Sequence, residues 1–81
     1  MTEETRKNVV KLLKQRSEES KVSIRNVRRD AQEDIRKLEK QGDCSEDDSR
    51  RAMGELQKLT DDSIKVIEQE SANKESEIMQ V

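Results

Sequence analysis

The sequence predicts an all-α fold in the form of a long antiparallel hairpin of two helices. The 81 residues include no proline and no aromatic residue, and only two glycines interrupt the chain. Charged residues make up 44% of the chain and hydrophobic residues 28%, a composition typical of long helices and coiled coils. One glycine, Gly42, lies near the middle of the chain and divides it into two halves that can each form one helix.

The first predicted helix, helix A, covers about residues 3–41. Thr2 can serve as its N-cap, and Glu3 and Glu4 place negative charge in the first turn, where the helix dipole favours it. Gly42 stands where helices commonly end on a residue in the left-handed conformation. Residues 42–44 are therefore expected to form a short turn.

The second predicted helix, helix B, covers about residues 45–79. Ser45 can cap it, and residues 46–48 are all acidic, which suits its positive end. A connection this short makes the two helices antiparallel neighbours, so we expect a single domain over residues 1–81. Acid–base pairs four residues apart favour solvated helical faces; they are Glu3–Lys7, Glu33–Lys37, Glu46–Arg50, Asp47–Arg51, Asp61–Lys65 and Glu70–Lys74.

The apolar residues indicate a larger bundle than one hairpin. Helix A carries a stripe of apolar residues at helical spacing: Val9, Leu13, Ile24, Val27, Ala31, Ile35 and Leu38. Helix B carries a wider arc, made of Ala52, Met53, Leu56, Leu59, Thr60, Ser63, Ile64, Val66, Ile67, Ser71 and Ile78. Because a helix needs so wide an arc only when it packs against two neighbours, the hairpin is predicted to be part of a three-helix bundle, completed by self-association or by another chain.

Basic residues follow one flank of helix A. The formal net charge is -2, so attraction to a polyanion would depend on local clustering of cations. At about 100° per residue, this flank lies a quarter-turn from the apolar stripe, with Arg28 at its border. The flank, which we name the basic flank, consists of Lys14, Lys21, Arg25, Arg29 and Arg36. It is a candidate for contact with RNA phosphates, while the missing aromatics argue against base stacking on single strands.

The residues of enzymes and metal sites are missing from this sequence. It contains no histidine, no pair of cysteines and no glycine-rich phosphate loop, so we expect no catalytic activity, no metal and no cofactor. The single cysteine, Cys44, suits a reducing compartment. No apolar run approaches the roughly 20 residues of a membrane span. We therefore expect no membrane association and a cytoplasmic location, with the matrix or stroma of an organelle as the alternative.

Five segments carry a resemblance to a known family. They are residues 2–7 (TEETRK), 25–31 (RNVRRDA), 45–48 (SEDD), 57–61 (QKLTD) and 74–79 (KESEIM). Their order and spacing resemble the C-terminal part of ribosome recycling factor. The resemblance implies that this chain corresponds to the second and third helices of that family's three-helix-bundle domain. The family's first helix and its second, β-rich domain have no counterpart here, so we expect a truncated piece.

The resemblance also implies a function. In recycling factors the arginines of the RNVRRDA segment contact ribosomal RNA of the large subunit, and Arg25, Arg28 and Arg29 match those positions. The whole protein acts with elongation factor G to split the ribosome after termination. The chain is therefore expected to bind large-subunit RNA as part of a translation factor.

Two other interpretations remain open at this stage. In the first, the hairpin is an interaction or oligomerisation module without ribosome activity, and the basic flank is a solvated helical face. In the second, the hairpin binds nucleic acid generally, with a steep salt dependence and no preference for ribosomes. If the chain self-associates, we expect an antiparallel dimer in which each hairpin fills the open groove of the other.

Overall fold

The computed structural model describes residues 2–80 as two long helices joined by a short turn. Helix α1 spans Glu3–Lys40 and helix α2 spans Glu46–Gln80. They lie side by side in a rod of 60 × 15 × 9 Å, and residues 2–80 contain no strand. The predicted all-α hairpin of two antiparallel helices is thereby confirmed. The two ends of the predicted domain, Met1 and Val81, lie outside the described residues.

The ends of helix α1 follow from local side-chain and backbone chemistry. The Thr2 hydroxyl accepts a hydrogen bond from the backbone N–H of Thr5 at 3.1 Å, as an N-cap does. At the other end, the N–H of Gly42 donates to the carbonyl of Glu39 at 3.1 Å, and that of Asp43 donates to Leu38 at 2.9 Å. This pattern is a Schellman motif, and it requires the positive φ of 81° that Gly42 adopts.

Helix α2 begins with a second hydroxyl cap. Ser45 Oγ accepts a hydrogen bond from the backbone N–H of Asp48 at 3.1 Å, and the acids 46–48 lie in the first turn. Two of the predicted pairs at a spacing of four form ion pairs within residues 2–80: Glu3–Lys7 at 3.9 Å and Glu46–Arg50 at 3.6 Å. Asp47 also contacts Arg50, at 3.8 Å, and not its predicted partner Arg51.

The seam between the helices is only half-buried. Among the described residues, no apolar side chain is fully buried, and the two most buried residues are Ser49 and Thr60, at 6% and 4% exposure. The Thr60 hydroxyl is satisfied within its own helix, because it donates to the carbonyl of Leu56 at 2.8 Å. A two-helix seam therefore forms the whole interior, and the hairpin has no dry hydrophobic core.

One side of the hairpin leaves apolar residues uncovered. Val27 and Leu59 line one shallow groove between the helices, and both are about two-thirds exposed, at 66% and 65%. Val9 and Leu12 line a second groove nearer the chain ends. Helical periodicity places Leu38 and Val66 on the same side. We name this side the open face; its exposed apolar residues are Val9, Leu12, Val27, Leu38, Leu59 and Val66.

The open face accounts for the wide apolar arc of the second helix. Part of the arc packs in the seam, including Ile64 and Ile67, while Leu59 and Val66 face outward. Each helix has one neighbour in the described part of the chain, so the predicted third helix stays a prediction. Within residues 2–80, neither helix is long and apolar enough to cross a membrane.

Candidate nucleic-acid interface

The structure carries the whole basic flank on a single continuous helix. Residues 14–36 all lie within α1, so the flank extends about 33 Å at about 1.5 Å per residue. A single α-helix holds side chains at fixed positions along its axis. The five residues of the flank nevertheless differ in what they contact.

Two lysines of the flank are engaged with acids of α2. Lys14 Nζ lies 3.6 Å from Glu75 Oε1, and Lys21 Nζ lies 3.3 Å from Glu68 Oε1. Lys21 also contacts Glu18 of its own helix, at 3.2 Å. We name the interhelical pairs Lys14–Glu75 and Lys21–Glu68 the clasp. Their charges hold the two helices in register and are largely neutralised.

The environment of Lys21 fixes its protonation state. Its side chain is only 13% exposed, whereas that of Lys14 is 64% exposed. The hydrogen bond to Glu18 raises the pKa of Lys21 above its usual value of 10.5, burial lowers it, and the hydrogen bond to Glu68 raises it again. The net direction is upward, so Lys21 stays charged at neutral pH.

Three arginines of the flank remain free to bind an anion. Within residues 2–80, no carboxylate lies within 4 Å of the guanidinium groups of Arg25, Arg29 or Arg36. Arg29 and Arg36 are exposed, and Arg25 is half-buried. The nearby acid Asp61 accepts a hydrogen bond from Gln57 at 3.0 Å and makes no ion pair among the described residues. Unneutralised positive charge is therefore concentrated in the half of the flank nearer the turn.

Arg28 departs from the flank. It lines the groove on the open face together with Ile24, Val27, Leu56 and Leu59. Its Nε is shielded from solvent and has no hydrogen-bond partner among residues 2–80. Its position at the border of the flank was predicted, but its side chain follows the open face. To reach a phosphate on the flank, Arg28 must first leave this groove.

The sequence reasoning missed both ends of this arrangement. Lys7 and Lys11 extend the line of cations toward the N-terminus, where they line a shallow groove with Lys14 and Glu75. Helical periodicity alone could have found them. Glu68 and Glu75 could not have been found in this way, because their contacts depend on the register between the two helices.

The described residues offer no metal chemistry. No group of three or more His, Cys, Asp or Glu side chains within residues 2–80 is placed to hold a metal ion. The acids 46–48 diverge around the first turn of α2, where they complement the helix dipole. Cys44 is a free, half-buried thiol in the turn.

Comparison with known proteins identifies the origin of this hairpin. The family model for ribosome recycling factor matches residues 1–79, almost the entire chain. The chain belongs to the ribosome recycling factor family. This membership confirms the resemblance seen in the five sequence segments.

Individual recycling factors match over the full chain. The chain is 57% identical to the ribosome-recycling factor of Symbiobacterium thermophilum, 52% to that of Rubrobacter xylanophilus and 51% to that of Bacillus subtilis. Each match covers all 81 residues of this chain and 44% of the relative. The chain thus spans less than half the length of the recycling factors it matches.

Proposed function

We propose that this hairpin binds ribosomal RNA of the large subunit through its free arginines, as part of a translation factor that disassembles ribosomes after termination. The observation that carries the proposal is the row formed by Arg25, Arg29 and Arg36 on one flank of α1, with no acid to neutralise it among residues 2–80. Membership in the ribosome recycling factor family supplies the class of target.

The chemistry of arginine suits this target. A guanidinium group presents planar paired donors that match two phosphate oxygens, and it stays charged at any physiological pH. Contacts to phosphates fix position and orientation and carry little sequence information. Arg25 and Arg36 lie about 16 Å apart along the axis, so α1 can follow a stretch of RNA backbone.

The remaining basic residues have different parts in this proposal. Lys14 and Lys21 keep α1 and α2 in register through the clasp, because their charges are already paired. Arg28 is a contact only after it leaves the groove that it lines. The free arginines therefore contribute most of the RNA affinity, and the lysines hold the scaffold in shape.

The activity of whole recycling factors extends the proposal beyond this hairpin. The chain covers 44% of its relatives, so we assign RNA docking to it and the splitting step, with elongation factor G, to the longer proteins of this family. The family consists of translation factors and not of enzymes, which confirms the prediction that the chain is not an enzyme. Its relatives named above are bacterial, which favours the cytoplasm over an organelle.

The test is co-sedimentation of the chain with isolated large ribosomal subunits. The double variant Arg25→Glu and Arg29→Glu should lose binding, because two phosphate contacts become two repulsions. Binding by the unaltered chain should also weaken with salt, by a slope of about 0.7–0.9 in log affinity per log salt for each phosphate contacted. Circular dichroism must show equal helicity in the two proteins.

A matched control separates local contact from net charge. Lys37→Glu and Arg51→Glu change the net charge by the same amount, and both positions are exposed and lie outside the basic flank. This control variant should sediment with the subunit as the unaltered chain does. Equal binding by the Arg25 and Arg29 variant would refute the proposal, and equal loss in both variants would reduce it to a net-charge effect.

A further inference from the structure

We propose that the open face binds a second copy of this chain, and that the two hairpins run in opposite directions to form a four-helix bundle. The proposal concerns the side of the molecule that carries Val27 and Leu59, and it does not depend on RNA binding. The free arginines Arg25, Arg29 and Arg36 lie on another side and stay accessible in such a dimer.

The size and character of the open face fit a second hairpin. Its apolar residues extend from Val9 to Leu38 along α1 and include Leu59 and Val66 of α2. The footprint of one hairpin is 60 × 15 Å, about 900 Å² for each copy. Stable protein interfaces bury about 800 Å² on each partner, so a flat, full-length contact is large enough.

The register of the hairpin shows which charges lie level with one another. Lys14 lies opposite Glu75, and seven residues further along α1 Lys21 lies opposite Glu68, seven residues back along α2. By the same register, Lys74 lies level with Arg16, and both line the grooves of the open face near the chain ends. Nearer the turn, Glu55 lies level with Asp34. One end of the open face is thus edged by cations, and the other end by acids.

Opposite orientation brings these unlike charges together. A two-fold axis that crosses both helices and superposes Val9 on the second copy's Leu38 lays each helix antiparallel over its own copy. This axis places Arg16 within one residue of the level of the second copy's Asp30. It also places Lys74 within two residues, about 3 Å, of the level of the second copy's Glu55. Each contact occurs twice by symmetry.

The other symmetric arrangement brings like charges together. If the two turns lay at the same end, α1 would lie over the second copy's α2 with levels preserved. Arg16 would then face the second copy's Lys74, and Asp34 would face the second copy's Glu55. Because like charges at close range in an interface oppose binding, the charge pattern selects the opposite orientation.

Arg28 gives the opposite orientation a further partner. Its Nε has no hydrogen-bond partner among residues 2–80 and is shielded within the groove. The same axis brings Glu70 of the second copy to the level of Arg28. A carboxylate there would neutralise a guanidinium group that the single hairpin leaves unpaired.

The test combines a mass measurement with a distance measurement on the unaltered chain. Light scattering across a wide range of concentrations should show a rise from 9.4 kDa to twice that mass. A nitroxide on Cys44, the chain's single cysteine, should report the two turns at opposite ends, close to the 60 Å length of the rod. A chain that stays monomeric, a mass beyond two copies, or a short distance between the labels would each overturn the proposal.

A charge exchange tests the proposed contact itself. Arg16→Glu and Asp30→Arg, each alone, should weaken the dimer about ten-fold, and the double variant should recover most of that loss. Loss in the double variant equal to the sum of both single losses would contradict the pairing. Neither residue belongs to the basic flank, so ribosome binding provides a separate readout, and failure of the dimer leaves the proposed function untouched.

Discussion

At the scale of single residues, Lys21 shows how the second helix changes the meaning of a sequence pattern. In the sequence it is one of five bases on a flank of α1. In the structure its side chain is only 13% exposed and lies between Glu18 and Glu68. A lysine held in this way stabilises the hairpin, and its charge is no longer available to a phosphate.

The raised pKa of Lys21 predicts a pH dependence of stability. A base whose pKa is raised by folding contributes stability below its unfolded pKa, near 10.5, and loses that contribution as the pH rises through the folded value. The unaltered chain should therefore be more stable than Lys21→Met near neutral pH, and the difference should shrink well above pH 10.5. Urea unfolding followed by circular dichroism at several pH values measures it.

The control for this prediction is Lys58→Met, which alters an exposed lysine without an ion pair among the described residues. Its unfolding free energy should differ little from that of the unaltered chain near neutral pH. If Lys21→Met behaved in the same way, the contacts of Lys21 would have no stabilising effect.

The two glycines should respond in opposite directions to a methyl group. A Cβ at Gly54 would meet no atom within 4 Å, and this residue lies inside a helix. Gly54→Ala should therefore raise the unfolding free energy by about 1 kcal/mol through helix propensity alone. Gly42 also has free space, but its φ of 81° is costly for any other residue, so Gly42→Ala should lower stability by about 1–2 kcal/mol. Thermal unfolding of both variants decides this, and a loss in Gly54→Ala would show that the glycine permits a close approach.

At the scale of elements, the helix ends could be predicted because they depend on residues close in sequence. Thr2, Ser45 and Gly42 act within three or four positions of themselves. The clasp could not be predicted, because its partners are 47 and 61 positions apart and meet only in one register of the two helices. The same limit explains why Arg28 was expected beside the flank and is found in the groove.

The cap of α2 offers a prediction for this element. Ser45→Ala removes the hydroxyl that accepts from the N–H of Asp48, and such losses cost about 1 kcal/mol. The midpoint of urea unfolding should fall accordingly. Ser76→Ala is the matched control, since Ser76 is exposed inside the same helix and makes no side-chain hydrogen bond within residues 2–80. Equal midpoints for the two variants would mean that the cap is dispensable.

At the scale of the whole molecule, the hairpin is a rod with two functional sides. The flank carries free arginines near the turn, and the open face carries exposed apolar residues along its length. The width of the apolar arc in the second helix predicted such a face from sequence. It could not predict the occupant, because an apolar pattern specifies burial and not the identity of the neighbour.

The most direct test of the RNA contact is hydroxyl-radical footprinting of large-subunit RNA with the bound chain. The unaltered chain and the Lys37→Glu and Arg51→Glu control should protect one stretch of RNA backbone, and the Arg25→Glu and Arg29→Glu variant should protect none. Binding to the subunit without any protected RNA, or protection that survives the loss of both arginines, would contradict the proposed RNA-binding role of the flank.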